Sequence, residues 1–354
     1  MLEVNRITRK KAKVKAVCVK FLVVFAVLVG SPFTFSASSE VRSPFPKPDN
    51  ENILRFADET ERVGDYSQNQ HSFYPFFTPN RLKPLKEELP FTIIADYPKL
   101  DGATSASPIY AAIVEMFYKN LDERDLPKYF ASSTTAGAYR QLINGKSDIF
   151  FGLQPSQEQL KMVADKGFAF VMTPIAKDAF VFILNKDNPV SSLTIPQIQD
   201  IYQKNIVSWD VVGGEKQRIL PFQRQEGSGS QTAMLAEVMK DKPLVKPLRE
   251  EGIVVMGMML SSIAEYRNYA SAIGYSFYSY VSIMHPDPNI KFLAIDDVEP
   301  TPENIHSGAY PFTVDVYAIT VGNESENTKK ILEWLVSDQG QRFIDGTGYV
   351  NLRE

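Results

Sequence analysis

The run Arg224-Gln225-Glu226-Gly227-Ser228-Gly229-Ser230 collects the residue types that hold a small anion. Arg224 offers a planar fork that can donate two hydrogen bonds to one tetrahedral oxyanion. Gly227 and Gly229 let backbone amides approach a ligand with no Cβ in the way. Ser228 and Ser230 add hydroxyls, and Met234, Leu235, Val238 and Met239 follow at helical spacing, so the segment predicts a helix start. A helix N-terminus carries unsatisfied N–H donors and the positive end of the helix dipole. Capping explains a serine there; it does not explain an arginine three residues before Gly-Ser-Gly-Ser, unless Glu226 simply pairs with Arg224.

Two other segments repeat the design. In Asp101-Gly102-Ala103-Thr104-Ser105-Ala106-Ser107-Pro108, Ser107 suits the N-cap and Pro108 the first helical position. Ile109, Ala112, Ile113, Met116 and Phe117 then recur on one face, leaving Thr104 and Ser105 at the helix mouth. Ser132-Ser133-Thr134-Thr135 precedes Ala136, Tyr139, Leu142 and Ile143, with Asn144-Gly145 as the stop signal. Each segment alone reads as an ordinary cap. Converging in space, they would form an anion pocket built mainly from neutral donors.

These mouths need a scaffold, and the chain is long enough to supply one. Of its 354 residues 44% are hydrophobic and 23% charged, enough for a sizeable core and two lobes or domains. From Phe91 onward short β-type runs (Phe91 to Ala95, Asp148 to Phe151, Ala179 to Leu184, Val314 to Val321) alternate with helical patterns, the signature of an α/β architecture.

The N-terminal residues differ. Arg6, Arg9, Lys10, Lys11, Lys13, Lys15 and Lys20 precede an apolar run from Phe21 to Gly30 and then Ser36-Ala37-Ser38. That order predicts a secretory signal over 1–38, with a retained anchor as the alternative; the apolar run is short for a membrane span. Residues 39–89 are rich in Pro, Asn, Asp and Phe without a sustained period, and read as a linker or an N-terminal arm laid over the surface. Cys18 is the only cysteine, so no intramolecular disulfide forms, and its place before the apolar run argues against lipid modification.

Without the seven Lys/Arg and one Glu of residues 1–38, the chain keeps 31 basic against 41 acidic residues. A net charge near −10 argues against nucleic acid as a partner, since backbone-phosphate binding relies on a basic footprint. An acidic protein can still bind a small anion through locally aimed donors.

The chain resembles the phosphate-binding proteins of bacterial phosphate ABC importers, the PstS-like branch of the type II periplasmic-binding-protein fold. The resemblance covers about residues 90 to 354. It is carried by Asn188-Pro189-Val190-Ser191-Ser192-Leu193-Thr194-Ile195-Pro196-Gln197-Ile198-Gln199-Asp200-Ile201-Tyr202 with Ile206, Trp209 and Gly213-Gly214, by Arg224 through Thr232, by Ala272-Ile273-Gly274-Tyr275, and by Tyr310-Pro311-Phe312-Thr313.

It implies two α/β lobes joined by hinge strands near Met172 to Leu184 and Tyr310 to Ile319, with the ligand cleft between them. Lobe 1 would take about residues 90–173 and 312–354, lobe 2 about 174–311. The implied ligand contacts are Thr104 and Ser105; Ser133 with Ser132 or Thr134; then Arg224, Ser228, Gly229 and Ser230, where Ser230 replaces the usual Thr and keeps the hydroxyl.

The implied function is capture of phosphate or a related oxyanion by an exported monomer, periplasmic or extracellular, for an ABC-transporter permease, without catalysis or cofactor. One position departs from the family: its phosphate binders carry an Asp just after the strand equivalent to Asp148-Ile149-Phe150-Phe151, where the nearest residue here is Gln154. A neutral amide would not repel a fully deprotonated anion such as sulfate, so the anion stays open.

Other classes fare less well on the residues. Gly227-Ser228-Gly229 does not fit a Gly-x-Ser-x-Gly elbow and no base accompanies it, which speaks against a secreted phosphatase or esterase. His71, His285 and His306 lack metal-type spacing. Tyr275, Phe277, Tyr278 and Tyr280 could form a stacking platform but read more simply as packing. A membrane-anchored sensor or surface-interaction protein on the same fold remains the alternative function.

Overall fold

A computed structural model describes residues 72–353 apart from Thr78, 254–255 and 265–268. The leader over 1–38 and the arm as far as residue 71 lie outside the described residues.

One strand organises the rest. Strand β3 (Val171–Asn185) is 15 residues long and pairs twice over its length. Its first half runs antiparallel to β7 (Thr313–Thr320), from Val171↔Thr320 to Ala179↔Thr313. Its second half runs antiparallel to β5 (Ala272–Phe277), from Phe180↔Phe277 to Leu184↔Ile273, and β6 (Ile290–Phe292) pairs its other edge. Beyond β7 lie β2 (Ile149–Gly152) and β1 (Leu100–Gly102); beyond β5 lies β4 (Leu220–Pro221). The result is a seven-stranded sheet in the order β1-β2-β7-β3-β5-β4, with β6 off the path. The β1/β2 and β4/β5 pairs are parallel and the rest antiparallel.

Composition explains why β3 can serve both halves. Ile175 and Ala176 are fully buried, and so is every residue from Ala179 to Leu184, the near-continuous apolar run of a strand covered on both faces. Pro174 cannot donate to a ladder, and the register slips beside it, between Val316 and Tyr317; a bulge is where a sheet tolerates proline. The two pairings change over between Ala179 and Phe180, next to Asp178. Fully buried, Asp178 accepts from Ala179 N at 2.8 Å, Ser279 N at 3.1 Å and Ser279 Oγ. Burial pushes its carboxyl up to about 6 against those hydrogen bonds, which favour the charged form.

Helices cover the sheet. α1 (Ser107–Phe117) is apolar nearly all round, and all its residues but Glu115 are buried, so it is a core helix. A 3-10 turn over Thr104–Ala106 leads into it, which puts Ser107 inside the helix and leaves Ala106 at the cap, one residue earlier than the sequence suggests. α2 (Thr134–Ile143) ends at Asn144 with Gly145 at φ +67°, as its stop signal predicts. α3 (Gln157–Asp165) and α4 (Ile195–Tyr202) both start on full capping boxes, from Ser156 with Gln159 and from Thr194 with Gln197. α5 (Gly229–Ala233) runs on as a π-helix over Met234–Met239. α6 (Met256–Ala264), α7 (Glu326–Leu335) and α8 (Asp338–Thr347) complete the set that matters here.

One expected strand is absent. Of Phe91 to Ala95 only Ile93 makes a bridge, to Tyr118 just past α1, while Phe91 stacks on Phe117 at 4.5 Å. The first sheet strand is instead Leu100–Gly102, where Gly102 opposes Phe151 so closely that a Cβ would lie 2.4 Å from the Phe151 carbonyl. The described residues between 72 and 90 form no helix or strand and lie against the body. Asn80 donates to Glu115 at 2.9 Å, Arg81 donates to the Met284 and Ile283 carbonyls, and Arg342 grips Glu87 through two hydrogen bonds. Among the described residues no helix is long and apolar enough to cross a membrane.

Asp178 makes stability depend on pH in a defined direction. Its folded carboxyl holds a proton to higher pH than the usual value near 3.8, so the folded state binds more protons between about pH 4 and pH 6. Stability therefore falls as pH rises through that window, by on the order of 2–3 kcal/mol. Asp178→Asn is expected to remove this fall; urea unfolding of both proteins at about pH 4 and about pH 7 measures it, and parallel pH profiles would clear Asp178 of the role.

Candidate functional site

The three helix mouths are linked in series, the first to the second and the second to the third. β1 delivers Asp101, whose Oδ1 accepts from its neighbour Gly102 N and from Ser133 N, both at 2.8 Å. This ties the Thr104 segment to the Ser133 segment, although 32 residues separate the bonded pair. Tyr110 of α1 reinforces the link: its hydroxyl faces Ser132 and the Asp101 carboxylate, and burial drives its phenol far up. On the other side, a Cβ on Gly229 at the start of α5 would lie 2.8 Å from Thr135 Oγ1 in the first turn of α2. The second and third mouths thus touch, and only glycine allows so close an approach.

The second and third mouths leave donors uncommitted. Ser133 stands at the N-cap of α2 but its side chain makes no capping bond. Thr134 follows at φ +63°, a left-handed conformation costly for a β-branched residue, which turns the chain sharply into the helix. Ser228 caps α5 by accepting from Gln231 N at 3.2 Å, which still leaves its O–H to donate. Gly227 takes φ +79° just before it, the conformation glycine supplies at no steric cost. Ser230 is fully buried and its hydroxyl has no hydrogen-bond partner among the described residues.

Arg224 carries the strongest charge at the site. Residues 223–224 form a short parallel pair with 252–253, and Arg224 N donates to the Tyr275 hydroxyl at 2.8 Å; that hydroxyl in turn donates to Gln231 Oε1 in α5. β5, Arg224 and α5 are thereby held as one unit. The guanidinium Nε and Nη1 are buried without a hydrogen-bond partner among the described residues, and Glu226 does not pair with it. Loss of solvent lowers the Arg224 pKa, opposed by the nearby Tyr275 and Tyr280. Burying such donors unpaired costs free energy that an anion in contact would offset.

The remaining sequence-derived positions divide. Thr104 and Ser105 are half-buried on the turn before α1, and the Ser105 carbonyl accepts from the Tyr349 hydroxyl, which connects this mouth to the Asp178–Ser279 pair. Ser132 and Thr134 are exposed at the edge. Gln154 is also exposed, and its amide donates to Glu237 Oε1 at 3.3 Å, on the helix that continues α5. Asp101, Thr135 and Tyr110 were not among the ligand candidates read from the sequence. Asp101 and Thr135 lie inside the segments that signalled the mouths, but nothing local shows that a carboxylate on β1 reaches a helix 32 residues on.

A separate cavity of about 290 Å³ lies beneath the arm between Phe73, Arg81, Pro108, Ile283 and Thr347. Arg81, its main cation, is already bonded to two carbonyls and stacked on Phe73. Among the described residues no group of three or more His, Cys, Asp or Glu could hold a metal ion.

A family model described as a PBP superfamily domain matches residues 95–339. The phosphate-binding protein PstS of Staphylococcus saprophyticus is 26% identical over 261 residues, covering 72% of this chain and 80% of that protein. PstS of Bacillus subtilis is 22% identical over 258 residues, covering 71% and 79%. Among solved structures, a putative phosphate ABC transporter substrate-binding protein with bound phosphate from Clostridium perfringens aligns with TM-score 0.59 at 23% identity, covering 73% of this chain and all of that one. An ABC-type phosphate transport receptor from Vibrio cholerae aligns with TM-score 0.53 at 21% identity, covering 72% and 100%. The structural likeness supports the fold.

The contact between Gly229 and Thr135 is directly testable. Gly229→Ala should destabilise by about 1–3 kcal/mol through overpacking, and Thr135→Ala in the same chain should recover most of that loss. A double-mutant cycle on thermal unfolding reads the coupling, and additive effects would separate the two mouths.

Proposed function

The chain belongs to the PBP superfamily, and from that premise we propose that it is an exported solute-binding protein that closes a cleft around a small oxyanion, inorganic phosphate foremost, for an ABC transporter. The observation that carries this reading is the buried Arg224 guanidinium with two unpaired donor nitrogens, on the strand that feeds directly into the Ser228 mouth. The relatives are named phosphate-binding proteins, and the arrangement of donors here is what a tetrahedral anion needs.

In this reading Thr104, Ser105, Ser133, Arg224, Ser228, Gly229 and Ser230 hold the anion. Two lobes, about 90–173 with 312–354 and about 174–311, hinge on β3 and β7. Helix-mouth amides and hydroxyls share the negative charge and Arg224 adds a forked contact. The anion bridges donors from both lobes and so stabilises the closed form, since a ligand shifts such an equilibrium only through differential contacts. A membrane permease then reads the closed state of the monomer. Residues 1–38 direct export, and no step in the cycle requires a reacting group or a cofactor.

Two measurements test the proposal. A thermal-shift screen of residues 39–354 against phosphate, sulfate, molybdate and small organic acids should raise the unfolding temperature with phosphate, because a ligand specific to the native state stabilises by mass action, about 2.7 kcal/mol at a hundredfold excess over Kd. No shift with any oxyanion would end the reading. Arg224→Ala should cut phosphate affinity by on the order of 100-fold or more with the fold intact, since it removes charged hydrogen bonds from a buried site. Unchanged affinity by calorimetry would take Arg224 out of the site.

A further inference from the structure

The described part of the N-terminal arm is anchored on one side of the molecule and reaches to the other. Phe73 is buried, and the adjoining Tyr74 meets the Phe130 ring edge-on at 5.1 Å. Phe76 N and Asn80 Nδ2 both donate to Glu115 Oε2 of α1, at 3.3 and 2.9 Å. Farther along, Arg342 of α8 grips Glu87, and Gln339 of α8 donates to the Glu88 carbonyl at 2.8 Å. In the two-lobe reading above, all these partners fall in lobe 1.

Arg81 points the other way. Its Nη1 donates to the Met284 carbonyl at 2.9 Å and its Nη2 to the Ile283 carbonyl at 2.6 Å, both in lobe 2. These carbonyls end the π-helical turn over Tyr280–Met284, so the guanidinium caps that turn. Tyr280, at its other end, is near Arg224 of the third mouth. Stacking over the buried Phe73 ring, 5.0 Å from its centroid, orients Arg81 for the contact. Beneath it lies the cavity of about 290 Å³ bordered by the arm, α1, α8 and Ile283, so close packing does not back the link there.

On the cleft side the same lobes touch, Thr135 with Gly229 and Gln154 with Glu237. The Arg81 bonds thus belong to a closed arrangement. Rotation of lobe 2 about β3 and β7 would carry the two carbonyls away from an arm that stays with lobe 1, and about 1 Å is enough to break such bonds. Arg81 is exposed, so water replaces the carbonyls when they leave and the link is reversible. Resting on the carrier reading, we propose that the arm is a clasp across the hinge: Arg81, carried on lobe 1, holds the Tyr280–Met284 turn of lobe 2 and keeps the ligand-free protein largely closed. The clasp touches no anion, and it raises the affinity for every anion by the same factor because it populates the binding-competent form in advance.

The full chain and its Arg81→Gln variant, compared in two measurements, test the clasp. Small-angle scattering without ligand should give the variant the larger radius of gyration, returning to that of the unaltered protein at saturating phosphate. Calorimetry should show its phosphate and arsenate affinities reduced by one common factor of about 3- to 10-fold. Arg81→Lys, which keeps the charge but not the fork, should shift both readings the same way by less. Equal radii for the ligand-free proteins overturn the clasp whatever the affinities, and so does an unchanged phosphate affinity, while in either case phosphate binding by the unaltered protein leaves the carrier reading standing. If the unaltered protein binds neither anion, the carrier reading fails on the calorimetry, and the scattering comparison still decides the clasp.

Discussion

The structure depends on a single strand whose backbone is claimed by two partners in succession. β3 gives its first half to β7 and its second half to β5 and β6. The β1/β2 edge with α1 and α2 is thereby attached to one half, and β5 with Arg224 and α5 to the other. The changeover cannot drift, because Asp178 collects Ala179 N, Ser279 N and Ser279 Oγ beside it, and Ser279 lies just past β5. A buried carboxylate with three hydrogen bonds is an expensive way to brace a strand, but it is directional, as apolar packing is not. Tyr349 reaches from this brace to the Ser105 carbonyl, so the crossing strand and the first helix mouth share a network.

Around that crossing the chain sets short-range donors within an acidic protein. The mean charge would repel an anion, but Debye screening confines that effect to about 8–10 Å, and Arg224 with the helix-mouth amides acts at contact distance. The donors are kept available by giving structural tasks to other groups. Tyr275 and Gln231 hold the Arg224 backbone, and Asp101 takes the Ser133 N–H, so the Ser133 and Ser230 hydroxyls and the guanidinium edge are not spent on the fold.

Much of this was legible in the sequence because it is local. Ser, Thr, Gly and Pro mark helix starts through geometry within four residues, and the helix starts at the three mouths and the Asn144-Gly145 stop follow. The structure departs from the local pattern at two places, one set by neighbours distant in sequence and one by an adjoining turn. Phe91 to Ala95 has strand composition, but its ring stacks on Phe117 and Ile93 bridges to Tyr118, so the sheet edge falls to Leu100–Gly102. The α1 boundary shifted by a residue because a 3-10 turn absorbs Thr104–Ala106.

By itself the sequence determined the α/β alternation, the helix mouths and the donor types at them, since hydrophobic period and capping chemistry act between near neighbours. Only the tertiary structure decided that Gly229 meets Thr135, that Gln154 turns to Glu237, and that Asp101 stands with one oxygen bound to Ser133 N and the other unpaired. These juxtapositions come from how β1, β2 and β3 stack side by side, and strand order is fixed by packing between residues far apart in the chain, which no local pattern encodes.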